Sequence, residues 1–122
     1  MKITDWNENK QPLETVSGEI VYELVGKAAD DGLNPNHSLA RIVIPPGKSS
    51  SLHFHKVTEE TYFVLQGEGQ MKVNQQKFTL LPGQACLIEI EEIHRIKNEG
   101  KDDLVFLAFC APAWVPEDSF EV

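Results

Sequence analysis

Positive charge is scarce in this chain: 11 Lys and Arg stand against 19 Asp and Glu, a formal net charge of −8 over 122 residues. No run of basic residues offers a local exception, so a phosphate backbone or an anionic lipid surface finds no footing. Nucleic acid and membranes are not expected as partners. Long hydrophobic runs are also missing, since no apolar stretch approaches the roughly 20 residues of a membrane span. The start Met1-Lys2-Ile3-Thr4-Asp5-Trp6-Asn7 carries no apolar signal region, which gives the expectation of a cytoplasmic protein. Only two cysteines occur, Cys86 and Cys110, each inside an apolar run. That usage suits inert, buried thiols rather than a disulfide framework.

What is present is 41% hydrophobic and 25% charged, a balance that folds, in a chain the size of one ordinary domain. Residues 1–122 are therefore read as one domain. Gly and Pro interrupt the sequence at short intervals, and most of the pieces between them are too short for average helices and rich in Val, Ile, Phe and Thr. Strands are predicted at Glu19 to Val25, Ser38 to Ile44, Ser51 to His55, Glu60 to Gln66, Gln70 to Val73, Gln84 to Ile90, His94 to Lys97 and Leu104 to Cys110. The stretch Gln84 to Glu99 lacks Gly and Pro and spaces Leu87, Ile90, Ile93 and Ile96 by three, so a helix is the alternative there.

Tyr62 to Val73 reads as a hairpin. A two-residue loop at Glu68-Gly69 pairs Gln66 with Met71 and Val64 with Val73, which places Tyr62, Val64, Met71 and Val73 on one face. Tyr62 is then an inward-facing residue. Trp6, Trp114 and Phe120 near the termini read as packing plugs, Arg41 as an outward surface charge, and the proline-containing tail after Ala111 as an extended strap over the barrel.

Two of the four histidines form His53-Phe54-His55. On a strand, residues i and i+2 share a face with Cα atoms about 6.5 Å apart, so both imidazoles can converge on one ion. Glu59 and Glu60 follow, and either could add the carboxylate that suits Mn, Fe, Co, Ni or Zn beside imidazoles. Strict alternation favours Glu59, whereas a connection at Lys56-Val57-Thr58 resets the parity; physics alone leaves the pair tied. His94 lies in an apolar setting and is a candidate further ligand.

The segment Gly47, His53, His55, Glu60, Gly67 matches G-x5-H-x-H-x3,4-E-x6-G, the first motif of the cupin superfamily, and the chain resembles that superfamily over about Ser38 to Cys110. The second motif, G-x5-P-x-G-x2-H-x3-N, is matched by Gly83, His94 and Asn98, with Glu89 and Glu91 where Pro and Gly are usual. The resemblance breaks the glutamate tie, because six residues separate Glu60 from Gly67. It implies an all-β fold, an antiparallel double-stranded β-helix or jelly-roll barrel with its core motifs at 38–110. It also implies one divalent transition metal held by His53, His55, Glu60 and His94. Glu89, Glu91 and Glu92 read as solvated surface charges; at the barrel mouth they would disfavour small anions such as oxalate.

Cupins perform many reactions, so fold and ligands do not select one. Three imidazoles and a carboxylate leave up to two octahedral positions for substrate. The expectation is a metal-dependent enzyme acting on a small organic molecule, with dioxygenation favoured and Tyr62 as the catalytic side chain beside the metal. Isomerase or lyase chemistry, and a metal-stabilised binding or sensor module, are the alternatives. Both faces of Tyr62 to Leu65 and of Leu104 to Cys110 are apolar, which predicts a homodimer that covers an outer face.

Overall fold

The computed structural model describes residues 1–8, 11–29 and 31–122. Eleven strands among these residues form two antiparallel sheets. The first sheet holds β1 (Leu13–Glu14), β2 (Ile20–Val25), β3 (Ser38–Ile44), β10 (Leu104–Ala111), β5 (Glu59–Gln66) and β8 (Ala85–Ile88), in the spatial order β1-β2-β3-β10-β5-β8. The second runs β11 (Phe120–Glu121), β4 (His53–Phe54), β9 (His94–Lys97), β6 (Gly69–Val73) and β7 (Gln76–Leu80). This is the expected double-stranded β-helix.

The helix alternative at Gln84 to Glu99 does not form; β8, a turn and β9 occupy it. The hairpin expectation is half corrected. Tyr62, Val64, Met71 and Val73 are all buried, but β5 and β6 do not pair. β5 lies between β10 and β8, and β6 lies between β7 and β9. At the crossing, Gly67 has φ +81°, and an added Cβ would stand 3.0 Å from the Asp103 carbonyl oxygen. The chain therefore changes sheet at Gly67 instead of folding back on itself. β7 lies outside the strands predicted from the sequence. Of its residues only Leu80 is buried, so it carries no alternating apolar signal.

Adjacent cross-strand rows explain why one end of the barrel is solid and the other hollow. Val21, Ile42, Phe106 and Val64 lie side by side across β2, β3, β10 and β5. With Ile44, Ile96 and Leu104 they fill one end, each of the last three being fully buried. Every such side chain contributes on the order of 1.5–3 kcal/mol by leaving water. The neighbouring row is Glu23, Ala40, Ala108 and Tyr62, and the next is Ser38, Cys110 and Glu60. Ala40, Ala108, Ser38 and Cys110 are small and leave space. Asn98 ties the packed end together: its Nδ2 donates to the carbonyls of Ile44 and Asp102 at 2.8 Å each, and its Oδ1 accepts the Gly100 N–H at 2.9 Å.

Candidate metal centre

Four side chains from both sheets meet at the hollow end. His53 on β4 pairs with His94 on β9 across the second sheet, His55 follows β4, and Glu60 faces them from β5. One donor atom from each lies within 4.8 Å of all the others. Glu60 is 7% exposed and Glu59 is exposed, so the connection at 56–58 does reset the parity and turns Glu60 inward. His94 is fully buried in spite of Glu89 and Glu91. The turn before it is made by Glu91 itself, at φ +69°, in the left-handed region that a glycine would enter more easily.

Hydrogen bonds fix the tautomer of each imidazole. Nδ1 of His53 lies 2.8 Å from the Ser51 carbonyl, that of His55 2.8 Å from the Asp118 carbonyl, and that of His94 2.9 Å from the Glu92 carbonyl. A carbonyl only accepts, so each Nδ1 carries the proton and each neutral ring presents a bare Nε2. Nε2 of His55 and of His94 and Oε1 of Glu60 are buried without hydrogen-bond partners. His55 Nε2 and His94 Nε2 stand 3.4 and 3.3 Å from Glu60 Oε1, close in charge but not hydrogen-bonded. Convergent lone pairs with no donor among them are costly to bury unless a cation joins them. The donor set therefore fits a divalent transition metal.

Without a cation, the electrostatics of His53 and His55 differ. Burial, reinforced by His94, lowers the His53 pKa to about 4, so that ring stays neutral in mild acid. Burial opposes charge on His55 as well, but the adjoining Glu60 carboxylate outweighs it and the pKa is raised. Burial would raise Glu60 too, yet the two imidazoles hold it well below the usual carboxylate range. Tyr62 is fully buried on the same face; burial first, then the Glu60 charge, keeps its phenol protonated.

A cavity of about 70 Å³, open at its mouth, adjoins these candidate ligands and is lined by Ala40, Ala108 and Ser38. Two further acids line it, Glu19 and Glu23, which the sequence reading did not single out. A turn positions Glu19: the Thr15 N–H donates to the Glu19 carbonyl at 2.9 Å, and the Glu19 N–H donates to Thr15 Oγ1 at 3.0 Å. Burial raises Glu19 to about 7, helped by the Glu60 charge, and burial also raises Glu23 to about 7. Glu89, Glu91 and Glu92 do not line this cavity.

Two other residues act on the candidate ligands themselves. Cys110 is not idle: its thiol donates to Glu60 Oε2 at 3.3 Å. Asp118, in the C-terminal strap, accepts the N–H groups of Lys56, Val57 and Thr58 on its carboxylate, while its backbone carbonyl orients His55. Cys86 and Cys110 form no disulfide. Trp114 lines the cavity and donates Nε1–H to Ser119 Oγ at 3.0 Å; it is thus part of the pocket wall rather than only a plug. Phe120 stacks on Phe54, and Arg41 points outward over Trp6 and Tyr22.

A protein of Methanocaldococcus jannaschii described as uncharacterized is 32% identical over 120 residues, covering 98% of this chain and 94% of its own. An oxalate-binding protein of Thermotoga maritima is 39% identical over 75 residues, 62% of either chain. The crystal structure of a Thermotoga maritima protein described as a predicted oxalate decarboxylase superimposes with a TM-score of 0.76 at 28% identity, covering 91% of this chain and 99% of that one. The cupin domain family profile matches residues 40–110, the span that contains all four metal-ligand candidates, and the chain belongs to the cupin family.

Proposed function

We propose that this cupin binds one divalent transition metal (Mn, Fe, Co, Ni or Zn) through His53, His55, Glu60 and His94, and converts a small organic molecule in the adjoining cavity by proton transfer, as an isomerase or lyase. The carrying observation is the presence of Glu19 in the wall of the cavity that His53, His55 and Glu60 also line. In the metal-free chain this acid is held near pKa 7, and an acid in that range can both give and take a proton at neutral pH, which is what general acid–base chemistry needs. Tyr62, kept as a phenol, is a donor to the same space. A bound dication would supply Lewis-acid polarisation of the substrate oxygen.

Dioxygenation, the reaction favoured by the sequence, requires open coordination positions but no proton carrier, so Glu19 and Tyr62 move the reading toward proton transfer. Two measurements test it. Metal analysis of natively purified protein should find about one equivalent, lost together with thermal stability in the His53→Ala/His55→Ala double variant. Metal-loaded protein in deuterated water should wash deuterium into hydroxy-carbonyl compounds, and Glu19→Gln should abolish that exchange. Oxygen uptake by the Fe- or Mn-loaded protein with catechols, thiols or diketones would reverse the order of the two reactions. Binding without exchange or product would make the chain a binding or sensor module.

A further inference from the structure

Oxalate is the ligand that the described relatives suggest, yet the charges around this cavity have the wrong sign for a second carboxylate. Besides the metal-ligand candidates, its ionisable wall consists of Glu19 and Glu23 with Tyr62 and Cys110, and no Lys or Arg among the described residues lines it. Arg41, on the strand that contributes Ala40 and Ile42 to the wall, points to the opposite face and lies 4.9 Å over the Trp6 ring. One metal-bound carboxylate of oxalate would have its charge met by the ion; the other would face two acids.

Glu23 supplies the positive side of the argument. It stands on β2 beside Ala40, in the row that runs through Ala108 to Tyr62, so only small side chains separate it from the middle of the cavity. Its Oε2 is buried and has no hydrogen-bond partner. Gly26 lets it pack there, since a Cβ at that position would meet Glu23 Oε2 at 3.0 Å and Ser38 Cβ at 2.7 Å. A buried acceptor without a donor is costly, and a donor carried by the ligand removes that cost.

We infer that Glu19 and Glu23 make this pocket a receptor for a small amine, whose ammonium group lies against Glu23 while an oxygen at its other end reaches the metal position. The ammonium is chosen over a hydroxyl because it answers both the unpaired acceptor and the uncompensated charge, and charge-assisted bonds are about twice as strong as neutral ones. Burial is the first cause of the raised pKa of each acid, and a cation beside them would oppose it. This inference deepens the proposed function and rests on it only for the metal-side contact.

The test is a titration, by calorimetry and by ligand-observed NMR, of the Zn-loaded and the metal-free protein with linear amino alcohols of two to five carbons, the diols of the same lengths, and oxalate. At pH 8, one length of amino alcohol should bind at least about tenfold tighter than its diol, and oxalate more weakly than either. Glu23→Gln should erase the preference for amine over diol while leaving the diol unchanged; its folding is checked by thermal melting, and the wild-type ranking decides alone if the variant is unstable. Oxalate binding as tightly as the best amino alcohol, or a preference that survives Glu23→Gln, overturns the inference. Failure to take up Zn overturns the proposed function instead, and the ranking in metal-free protein then still decides the ligand class.

Discussion

The thiol of Cys110 donates to Glu60 Oε2 at 3.3 Å, and this contact divides the labour of the two carboxylate oxygens. Oε2 is occupied from the neighbouring strand, while Oε1 stays unpartnered and faces His55 and His94. Groups that orient a ligand in this way typically change metal affinity 10–100-fold when removed. Cys110→Ala should therefore weaken metal binding by about tenfold in a chelator competition titration, and Cys110→Ser, which keeps a donor, should restore most of it.

Asp118 does for His55 what Cys110 does for Glu60, from the far end of the chain. Its carboxylate accepts backbone N–H groups of three consecutive residues, Lys56, Val57 and Thr58, and it is 6% exposed. Bonds to a charged acceptor are worth about 1.5–3 kcal/mol each before redundancy, and removal leaves the donors unsatisfied. Asp118→Ala should cost about 2–4 kcal/mol in urea unfolding, and should weaken metal binding as the segment carrying His55 loosens.

Much of this site is legible in the sequence because its candidate ligands come in short-range patterns. His53 and His55 are two apart on a strand, and Glu60 and His94 fall on fixed motif spacings. Tyr62 and Val64 share a face by strand parity and are buried, although the hairpin from which their inward side was argued does not form. Glu19, Glu23, Cys110 and Asp118 could not be found that way, because each is placed by a long-range relationship. Cys110 meets Glu60 through the register of β10 against β5, and Asp118 reaches residue 55 across 63 positions of chain. One sequence signal does point to Glu19 and Glu23: with Val21 they alternate along a predicted strand, so if Val21 faces the core, so do both acids. The sheet change at Gly67 was hidden because tight hairpins and sheet crossings share the same Gly-rich turn.

Glu91 occupies a left-handed position at φ +69° where the second motif usually has glycine. An L-residue there costs about 1–2 kcal/mol, partly offset by the greater unfolded-state entropy of glycine. Glu91→Gly is expected to raise stability by about 0.5–1 kcal/mol without changing metal content. Denaturant midpoints and metal analysis of the same samples check both halves.

The outer face of the first sheet carries Phe63, Leu65, Leu87 and Phe109, 38 to 55% exposed. They stand on the adjacent strands β10, β5 and β8, with Thr61 of β5 opposite both Phe109 and Leu87. An apolar patch of this kind on a sheet that water should wet is a site for association. Sedimentation at micromolar concentration is expected to give a homodimer, and Leu87→Lys with Phe109→Lys should give a monomer. A wild-type monomer would reject it.

Glu19 gives the protein a pH dependence opposite in sign to that of an ordinary paired carboxylate. Its folded pKa of about 7 lies above the 4.5 of an unperturbed glutamate, with burial the main cause. The folded state therefore binds the extra proton more tightly, and its contribution to stability is complete below pH 4.5 and lost as pH rises through 7. Glu19→Gln removes the ionisation and keeps the shape. Metal-free wild type and variant should have equal stability near pH 4, and above pH 7.5 the variant should be more stable by on the order of 1–3 kcal/mol. Urea unfolding from pH 4 to 8.5 measures this. His53 works in the other direction, since its folded pKa near 4 lies below the ordinary 6.5 and its penalty grows as pH falls from 6.5 to 4. Because both proteins share His53, its effect cancels in the difference, and a difference that does not widen with rising pH would show that Glu19 is not held protonated in the pocket.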